Sequence, residues 1–171
     1  MYKRQHNIIE NNHGIDPGNK ARGILGCGIL ATVNHNHTVL IRDNTIRNNT
    51  STDGNAWGGG IGIHGGRAIV ENNRILKNTL HTEGLAIGPG FFFENESLEG
   101  TIFEAVVRNN IISGNAGYSN NNYACGGGAG INWTKFKLLF YNNVITDNFV
   151  EGYGGGLYGC CLLYTSPSPR D

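Results

Sequence analysis

The sequence predicts an all-β solenoid, in which short strands repeat along the chain and the repeats stack on one another. Three observations lead to this prediction. The eleven-residue segment 105–115 recurs with the same asparagine and isoleucine positions, and a glycine-rich block recurs between its copies. Within each copy an apolar residue stands next to a polar or charged one, which is the alternation of a strand with one buried face. Such repeats indicate a stack of similar units.

The asparagine repeat has three columns that are the same in five copies. The first asparagine column is Asn7, Asn44, Asn73, Asn110 and Asn143. An isoleucine follows two places later, at Ile9, Ile46, Ile75, Ile112 and Ile145. The second asparagine column, five places after the first, is Asn12, Asn49, Asn78, Asn115 and Asn148. We interpret each unit as a strand, an asparagine corner and a second short strand, because asparagine enters the left-handed backbone region at low cost.

Glycine-rich blocks separate the asparagine repeats. They are residues 26–29, 58–61, 84–85, 126–129 and 154–157. Glycine permits sharp bends between strands, so each unit is predicted to contain about three short strands, with residues 50–57 as a polar loop. The insertions at 91–100 and 116–124 leave the repeat intact, and we therefore expect them to project sideways as loops.

The two ends of the chain differ from the repeats between them. Codons that encode Tyr2–Gln5, read on the opposite DNA strand, spell Cys161–Thr165, and both ends resemble translated sequencing-adapter DNA. We therefore expect residues 1–5 and 161–171 to be adapter scars. Residues 6–160 are then an internal, uncapped fragment of about five coils, in which a signal peptide would not be observable.

The composition of residues 6–160 excludes one class of partner and leaves the cysteines open. Acidic residues slightly outnumber basic ones, whereas a nucleic-acid-binding face needs an excess of lysine and arginine, so we expect no nucleic-acid partner. Cys27, Cys125 and Cys160 form no Cys-x-x-Cys pair. They fit small apolar residues beside the glycine bends, and a disulfide between coils in an oxidising compartment stays an open alternative.

The pattern Asn-x-Ile-x-x-Asn, followed by a loop and Gly-Gly-Gly-Ile, resembles the repeats of right-handed parallel β-helix proteins, the pectate-lyase-like superfamily. The resemblance covers nearly all of residues 6–160. It implies an all-β, right-handed parallel β-helix whose coils stack about 4.8 Å apart. The expected partners of the end coils are the neighbouring coils of a longer chain. Equivalent side chains then lie above one another. We expect an asparagine ladder along the axis, formed by Asn44, Asn73, Asn110, Asn143, Asn49, Asn78, Asn115 and Asn148.

Two ligand-binding patterns fail in their sequence context. The spacing Gly60-x-Gly62-x-x-Gly65 matches a dinucleotide-binding fingerprint, but no helix pattern follows it. His35 and His37 offer two metal ligands where a zinc site needs three or four. The sequence therefore predicts neither a dinucleotide nor a zinc site.

One insertion concentrates carboxylates. Glu94, Glu96 and Glu99 lie close together in the sequence, and carboxylate oxygens are the ligands that calcium prefers. A solvated acidic loop is the alternative interpretation. Calcium at these three glutamates is the one cofactor that the sequence leaves open.

Enzymes of the pectate-lyase-like superfamily imply acids, or an arginine with acidic calcium ligands, on one strand face of adjacent coils. The strand candidates here are Asp43, Glu71, Arg42, Arg108 and His64. The Asp43 column holds a single acid because its equivalents are asparagines, and the Arg42 column alternates in charge as cross-coil ion pairs do. The sequence therefore predicts no catalytic residue. A polysaccharide lyase or glycoside hydrolase is the alternative function.

Aromatic residues stand beside the glycine blocks. They are Trp57, Tyr123, Trp133 and Tyr153. Aromatic faces beside a polar groove suit sugar rings, whereas covering the glycine bends is the structural alternative. We expect a non-catalytic scaffold, or a carbohydrate-binding or adhesion surface, in an extracellular or cell-surface protein. Its expected partner is a polysaccharide or a cell-surface glycan, and the fragment carries no apolar run long enough to span a membrane.

Overall fold

The protein is represented by a computed structural model, which describes residues 2–4, 6–15, 23–34, 37–94, 103–121, 123–132 and 136–159. Coil 1 contains β1 (Tyr2–Arg4), β2 (Ile8–Glu10), β3 (His13–Ile15), β4 (Ile24–Leu25) and β5 (Ile29–Thr32). Coil 2 contains β6 (Thr38–Arg42), β7 (Thr45–Arg47), β8 (Thr50–Thr52), β9 (Ala56–Trp57) and β10 (Ile61–His64). Coil 3 contains β11 (Arg67–Glu71), β12 (Arg74–Leu76), β13 (Thr79–Thr82), β14 (Ala86–Ile87) and β15 (Phe91–Glu94).

The last two coils repeat the same order. Coil 4 contains β16 (Phe103–Arg108), β17 (Ile111–Ser113), β18 (Ala116–Ser119), β19 (Ala124–Cys125) and β20 (Ala129–Asn132). Coil 5 contains β21 (Phe136–Tyr141), β22 (Val144–Thr146), β23 (Phe149–Val150), β24 (Gly152–Tyr153) and β25 (Leu157–Gly159). Strands at the same place in successive coils pair in parallel and form five sheets of five strands, which we name A to E in chain order.

This arrangement confirms the predicted all-β parallel solenoid. The chain passes through every sheet five times and completes about four turns, and the described residues contain no helix. Consequently, no described segment forms a helix with the length and apolar character needed to cross a membrane. Tyr2–Arg4 pair with β6, which leaves the predicted origin of residues 1–5 untested, and residues 161–171 lie outside the described part.

The prediction of about three strands per unit is wrong, because each coil has five. The two missed strands of coil 2, Thr50–Thr52 and Ala56–Trp57, lie in the segment predicted as a polar loop. Strands of two or three residues are too short to show a clear period of two. Their pairing partners are supplied by neighbouring coils rather than by adjacent sequence, so the polar composition of residues 50–57 misleads a local interpretation.

The predicted isoleucine column forms one wall of a narrow core. Ile46, Ile75 and Ile112 are fully buried, with Ile9 and Ile145 partly buried at the two ends of the column. Sheet A contributes the facing aliphatic residues Ile41, Val70 and Val107, and sheet E contributes Ile61, Ile63, Phe91 and Phe93. Stacking in register places each side chain on its equivalent in the next coil, as in the pair of Ile75 and Ile112.

Each asparagine corner uses two adjacent residues, one for the backbone turn and one for buried hydrogen bonds. The residue before the ladder asparagine adopts the left-handed conformation, as at Asp43, Asn72, Asn109 and Asn142, where φ lies between 53° and 57°. The ladder asparagine that follows points into the protein, and Asn73 is only 1% exposed. The left-handed role that the sequence analysis gave to the repeat asparagines therefore belongs to their predecessors.

A second apolar cluster lies on the opposite side of sheets D and E from the core. Alternation places Phe91 and Phe93 in the core and Phe92 on the outer side, where Phe92 packs with Ile87 and Cys125. The bend between these sheets is made in every coil by a glycine with positive φ: Gly26, Gly58, Gly88, Gly126 and Gly154. The outer sides of D and E therefore fold together into a concave corner.

Candidate functional site

The eight predicted asparagines lie in two hydrogen-bonded columns that run along the solenoid. The first column joins Asn7, Asn44, Asn73, Asn110 and Asn143, and the second joins Asn12, Asn49, Asn78, Asn115 and Asn148. In both columns the side-chain amide of each asparagine donates to Oδ1 of the next, at 2.8 to 3.2 Å. The columns account for the repeat asparagines without a ligand.

Asn78 shows how completely these buried amides are bonded. Its Oδ1 accepts from the backbone N–H of Asn49 at 3.1 Å and from the Asn49 side-chain amide at 2.9 Å. Its own amide donates to Oδ1 of Asn115 at 2.9 Å and to the carbonyl of Ile46 at 3.2 Å. All the polar valences of a residue that is 0% exposed are thereby satisfied, so Asn78 has no spare group for a substrate.

The described strands contain four acidic residues, and each one is bonded to its neighbour in the next coil. They are Glu10, Glu71, Glu94 and Glu104, which bond to Arg47, Arg108, Asn132 and Lys137 respectively. In every case the partner is the residue directly opposite in the strand register. These carboxylates therefore link coils along the axis.

The charged column on sheet A forms the predicted cross-coil ion pair. The Arg108 guanidinium donates to Glu71 Oε2 from Nε at 2.8 Å and from Nη2 at 2.7 Å, and Nη1 donates to the Tyr141 hydroxyl at 3.0 Å. The hydrogen bond to Tyr141 and the pairing with Glu71 raise the pKa of Arg108 above its ordinary value. Arg42 lies opposite Glu71 in the register and 3.6 Å from the Asp43 carboxylate.

A second polar column lies on the outer side of sheet E. Glu94 accepts a hydrogen bond from Asn132 at 3.1 Å, and its other carboxylate oxygen is 3.6 Å from His64 Nδ1. Glu96 and Glu99, the other two predicted calcium ligands, lie outside the described residues. Among the residues that are described, no three histidine, cysteine or acidic side chains form a group that could hold a metal ion. Calcium binding at this insertion stays a prediction.

The four predicted sugar-binding aromatics do not form one surface. Trp57 is half-buried in the concave corner of sheets D and E, with its ring centroid 6.5 Å from that of Phe92. Trp133 lies outside the described residues. Tyr123 and Tyr153 come together at the outer edge of sheet D, with ring centroids 6.5 Å apart and ring planes at 65°. They are 41% and 60% exposed, so this pair retains accessible ring surface.

The two tyrosines are positioned in different ways, Tyr123 by hydrogen bonds to Ser119 and Tyr153 by close backbone packing at Gly152. Ser119, which is buried, donates to the carbonyl of Gly84 and accepts from the backbone N–H groups of Asn121 and Tyr123, each at 3.2 Å. Tyr153 follows Gly152, where a Cβ would come within 2.1 Å of the Ala124 carbonyl oxygen. Sequence reasoning missed Ser119, since a single serine in a polar segment carries no pattern.

Sheet C carries an aromatic row that the sequence analysis did not identify. His81 and Tyr118 are paired in the strand register, and their rings stack with centroids 4.6 Å apart and planes at 7°. Tyr118 also contacts Phe149 at 5.6 Å. The rings of His81 and Tyr118 cover each other's faces, so this row offers less flat surface to a ligand than the tyrosine pair.

Cys27 and Cys125 are free thiols. Burial raises the pKa of the Cys27 thiol to about 11, and the influence of the nearby Ser51 hydroxyl opposes this shift only in part. Burial also raises the pKa of Cys125. Both residues fit the small apolar role, because a raised thiol pKa keeps cysteine in its unreactive form. Cys160 lies outside the described residues.

Comparison of the chain with protein-family models, curated proteins and solved structures finds no match. Side-chain geometry is therefore the basis on which function is inferred. Among the predicted binding residues that the structure describes, the tyrosine pair is the most accessible. The carboxylates of the described strands bond to the adjacent coil.

Proposed function

We propose that this chain is a non-catalytic segment of a right-handed parallel β-helix of the pectate-lyase-like superfamily, carried by a secreted or cell-surface protein. Its role is that of a scaffold whose side surface binds carbohydrate at Tyr123 and Tyr153. The observation that carries the non-catalytic part is the pairing of all four acids of the described strands with the adjacent coil. Carboxylates held in this way are poorly placed to exchange protons with a substrate.

The carbohydrate-binding part is supported by the shape of the tyrosine pair. Two rings at 65° to each other present one face and one edge side by side. Sugar rings pack their C–H faces against aromatic faces, while the two phenolic hydroxyls are available for hydrogen bonds to sugar hydroxyls. The concave corner that contains Trp57 is instead filled by Phe92, Ile87 and Cys125.

A glycan array with purified protein tests the binding proposal. We expect hits that are lost in Tyr123→Ala and Tyr153→Ala and retained in Phe149→Ala, which removes an aromatic side chain of similar exposure from sheet C. Hits that survive both tyrosine substitutions would refute the proposed surface. Each hit is then incubated with the protein and analysed for shortened chains, which we do not expect.

One observation favours the alternative, a polysaccharide lyase or glycoside hydrolase. Glu71 and Arg108 lie on adjacent coils within bonding distance, with the Tyr141 hydroxyl beside them. An acid, a cation and a hydroxyl in one column are groups that can take part in polysaccharide cleavage. Cleavage of any glycan that is abolished by Glu71→Gln or Arg108→Ala would establish this alternative and overturn the non-catalytic proposal.

A further inference from the structure

Charge is unevenly distributed around the solenoid. All the described lysine and arginine side chains belong to sheets A and B or to the turn that follows sheet B: Arg42, Arg47, Arg67, Arg74, Lys77, Arg108 and Lys137. The opposite side, from sheet C to sheet E, carries the acids Asp53, Glu83, Glu94 and Glu151 and, within its described residues, no lysine or arginine. Among the described residues, the side that presents Tyr123 and Tyr153 therefore carries more acidic than basic side chains.

Glu151 is the acid nearest to the tyrosine pair along the backbone. Ala124 pairs with Gly152, so Tyr123 and Glu151, which precede them, occupy the same position in adjacent coils. Glu151 is also only two residues before Tyr153 in the sequence, and it is exposed. Glu151 lies in coil 5, the last coil that the structure describes, and its carboxylate makes no ion pair or hydrogen bond with the described part of the chain.

A free carboxylate that is level with Tyr123 in the register and two residues before Tyr153 suits a cation more than a neutral hydroxyl. A protonated amine gains a charge-assisted hydrogen bond from the carboxylate and attraction from the ring faces. An acidic sugar is disfavoured in the same place, because Glu151 shares its side of the solenoid with Asp53 and Glu83. The electrostatics therefore select among glycans that the tyrosines alone would accept.

We propose that Tyr123, Glu151 and Tyr153 form a binding site for glycans that carry free primary amines, such as chains of glucosamine. This inference rests on the proposed carbohydrate-binding function and names its substrate class. The tyrosine rings pack against the sugar, and the Glu151 carboxylate accepts a hydrogen bond from the ammonium group. Glu151 provides the selectivity for amines, and the two tyrosines provide the affinity for the sugar.

The test compares a glucosamine hexamer with an N-acetylglucosamine hexamer of the same length by titration calorimetry, at a pH where the amines are protonated. The full chain is expected to bind the glucosamine hexamer about tenfold more tightly, the effect of one charge-assisted contact. Glu151→Gln should reduce that preference to about twofold or less, and the affinity for the acetylated hexamer should stay unchanged. Glu104→Gln, a matched change on sheet A at the opposite side, should leave the preference unchanged.

Three outcomes would overturn the inference, and they separate it from the broader proposal. If both hexamers bind with equal affinity and this binding is lost in Tyr153→Ala, the proposed selectivity for amines is refuted and the carbohydrate site is supported. A preference that persists in Glu151→Gln places the selectivity elsewhere. Binding of neither hexamer, together with an array that gives no tyrosine-dependent hit, removes the carbohydrate function itself. Melting curves of each variant show that the exposed substitutions leave the fold intact.

Discussion

Gly60 packs directly against the ladder asparagine Asn78. A Cβ at Gly60 would lie 2.9 Å from Asn78 Nδ2, 2.7 Å from Ile75 Cγ2 and 2.5 Å from the carbonyl oxygen of Gly90. The same approach recurs in other coils, between Gly28 and Asn49, Gly90 and Asn115, and Gly128 and Asn148. In coils 1 to 4 the glycine two places after the positive-φ glycine is thus required by the thinness of the core, since its own φ, unlike that of Gly58, is not positive.

Gly60→Ala should therefore destabilise the protein. The added methyl group meets backbone and the buried ladder, which cannot move without disturbing several coils, and overpacking of this kind costs about 1 to 3 kcal/mol. Urea denaturation followed by circular dichroism measures the loss. Gly156→Ala is the matched control, because the equivalent Cβ in coil 5 would meet only Ile145 Cγ2, at 3.7 Å. Equal losses in the two variants would contradict this account.

Asn78→Ala removes four hydrogen bonds from the interior at once. The groups that lose a hydrogen bond are the backbone N–H and the side-chain amide of Asn49, the carbonyl of Ile46 and Oδ1 of Asn115, although the Asn49 amide keeps its bond to the carbonyl of Ile9. Each buried polar group left unpaired costs about 1 to 3 kcal/mol, so we expect a loss of about 3 kcal/mol or more, measured by urea denaturation. Asn72 provides the control, since it is exposed and its role is its positive φ of 57°.

At Asn72 we expect glycine to be tolerated better than alanine, because the role of this residue is its positive φ. Asn72→Gly should change the free energy of unfolding by less than about 0.5 kcal/mol, because glycine accepts a positive φ. Asn72→Ala should cost about 1 to 2 kcal/mol through backbone strain. If Asn72→Gly destabilises the protein as much as Asn78→Ala does, then Asn72 does not act through its positive φ alone and the separate roles given to the two residues are wrong.

The repeat alone was enough to predict which residues stack. Asn73, Ile75 and Asn78 keep fixed spacing in every copy, and the parallel register follows from stacking equivalent residues. Five strands per coil were not predictable in the same way, since strands such as Ala56–Trp57 have only two residues and depend on adjacent coils for their hydrogen bonds. Local sequence contains no signal for partners that are about thirty residues away.

The candidate site was only partly accessible from sequence for a related reason. Tyr153 was identified by its position just before a glycine block, and Tyr123 as an aromatic residue of the neighbouring segment 116–124. The rule that selected Tyr153 also selected Trp57, which packs against Phe92 instead. Trp57 and Tyr153 occupy the same position in their coils, because the register links both to the column of Ile87 and Cys125. What separates them is the side chain that the neighbouring coil supplies, Phe92 in the case of Trp57. Glu151 was passed over because a single exposed acid has no pattern until the register places it level with Tyr123.

Leu80→Ala tests the small cluster beneath sheets C and D. Leu80 is fully buried among Ala56, Ala86 and Ala124, and a Cβ at Gly59 would lie 3.2 Å from Leu80 Cδ2. The other fully buried members of this cluster are alanines, which are too short to fill the space, so we expect a loss of about 2 to 5 kcal/mol in the free energy of unfolding. Leu30→Ala, at a leucine that is 48% exposed, should cost far less in the same urea titration. Similar costs would show that Leu80 is not a core residue.

Burial of the Cys27 thiol makes stability depend on alkaline pH. Its pKa is raised from 9.0 to about 11, so the folded protein keeps the proton over a range in which the unfolded chain releases it. The stabilisation is complete below pH 9 and is lost as the pH rises towards 11, by about 2 to 3 kcal/mol for a shift of this size. Urea denaturation of the wild type and of Cys27→Ala between pH 8 and 11 isolates the contribution, because tyrosines and lysines titrate in both proteins. The wild type should lose more stability than the variant, and parallel pH profiles would show that the thiol is not buried in the folded state.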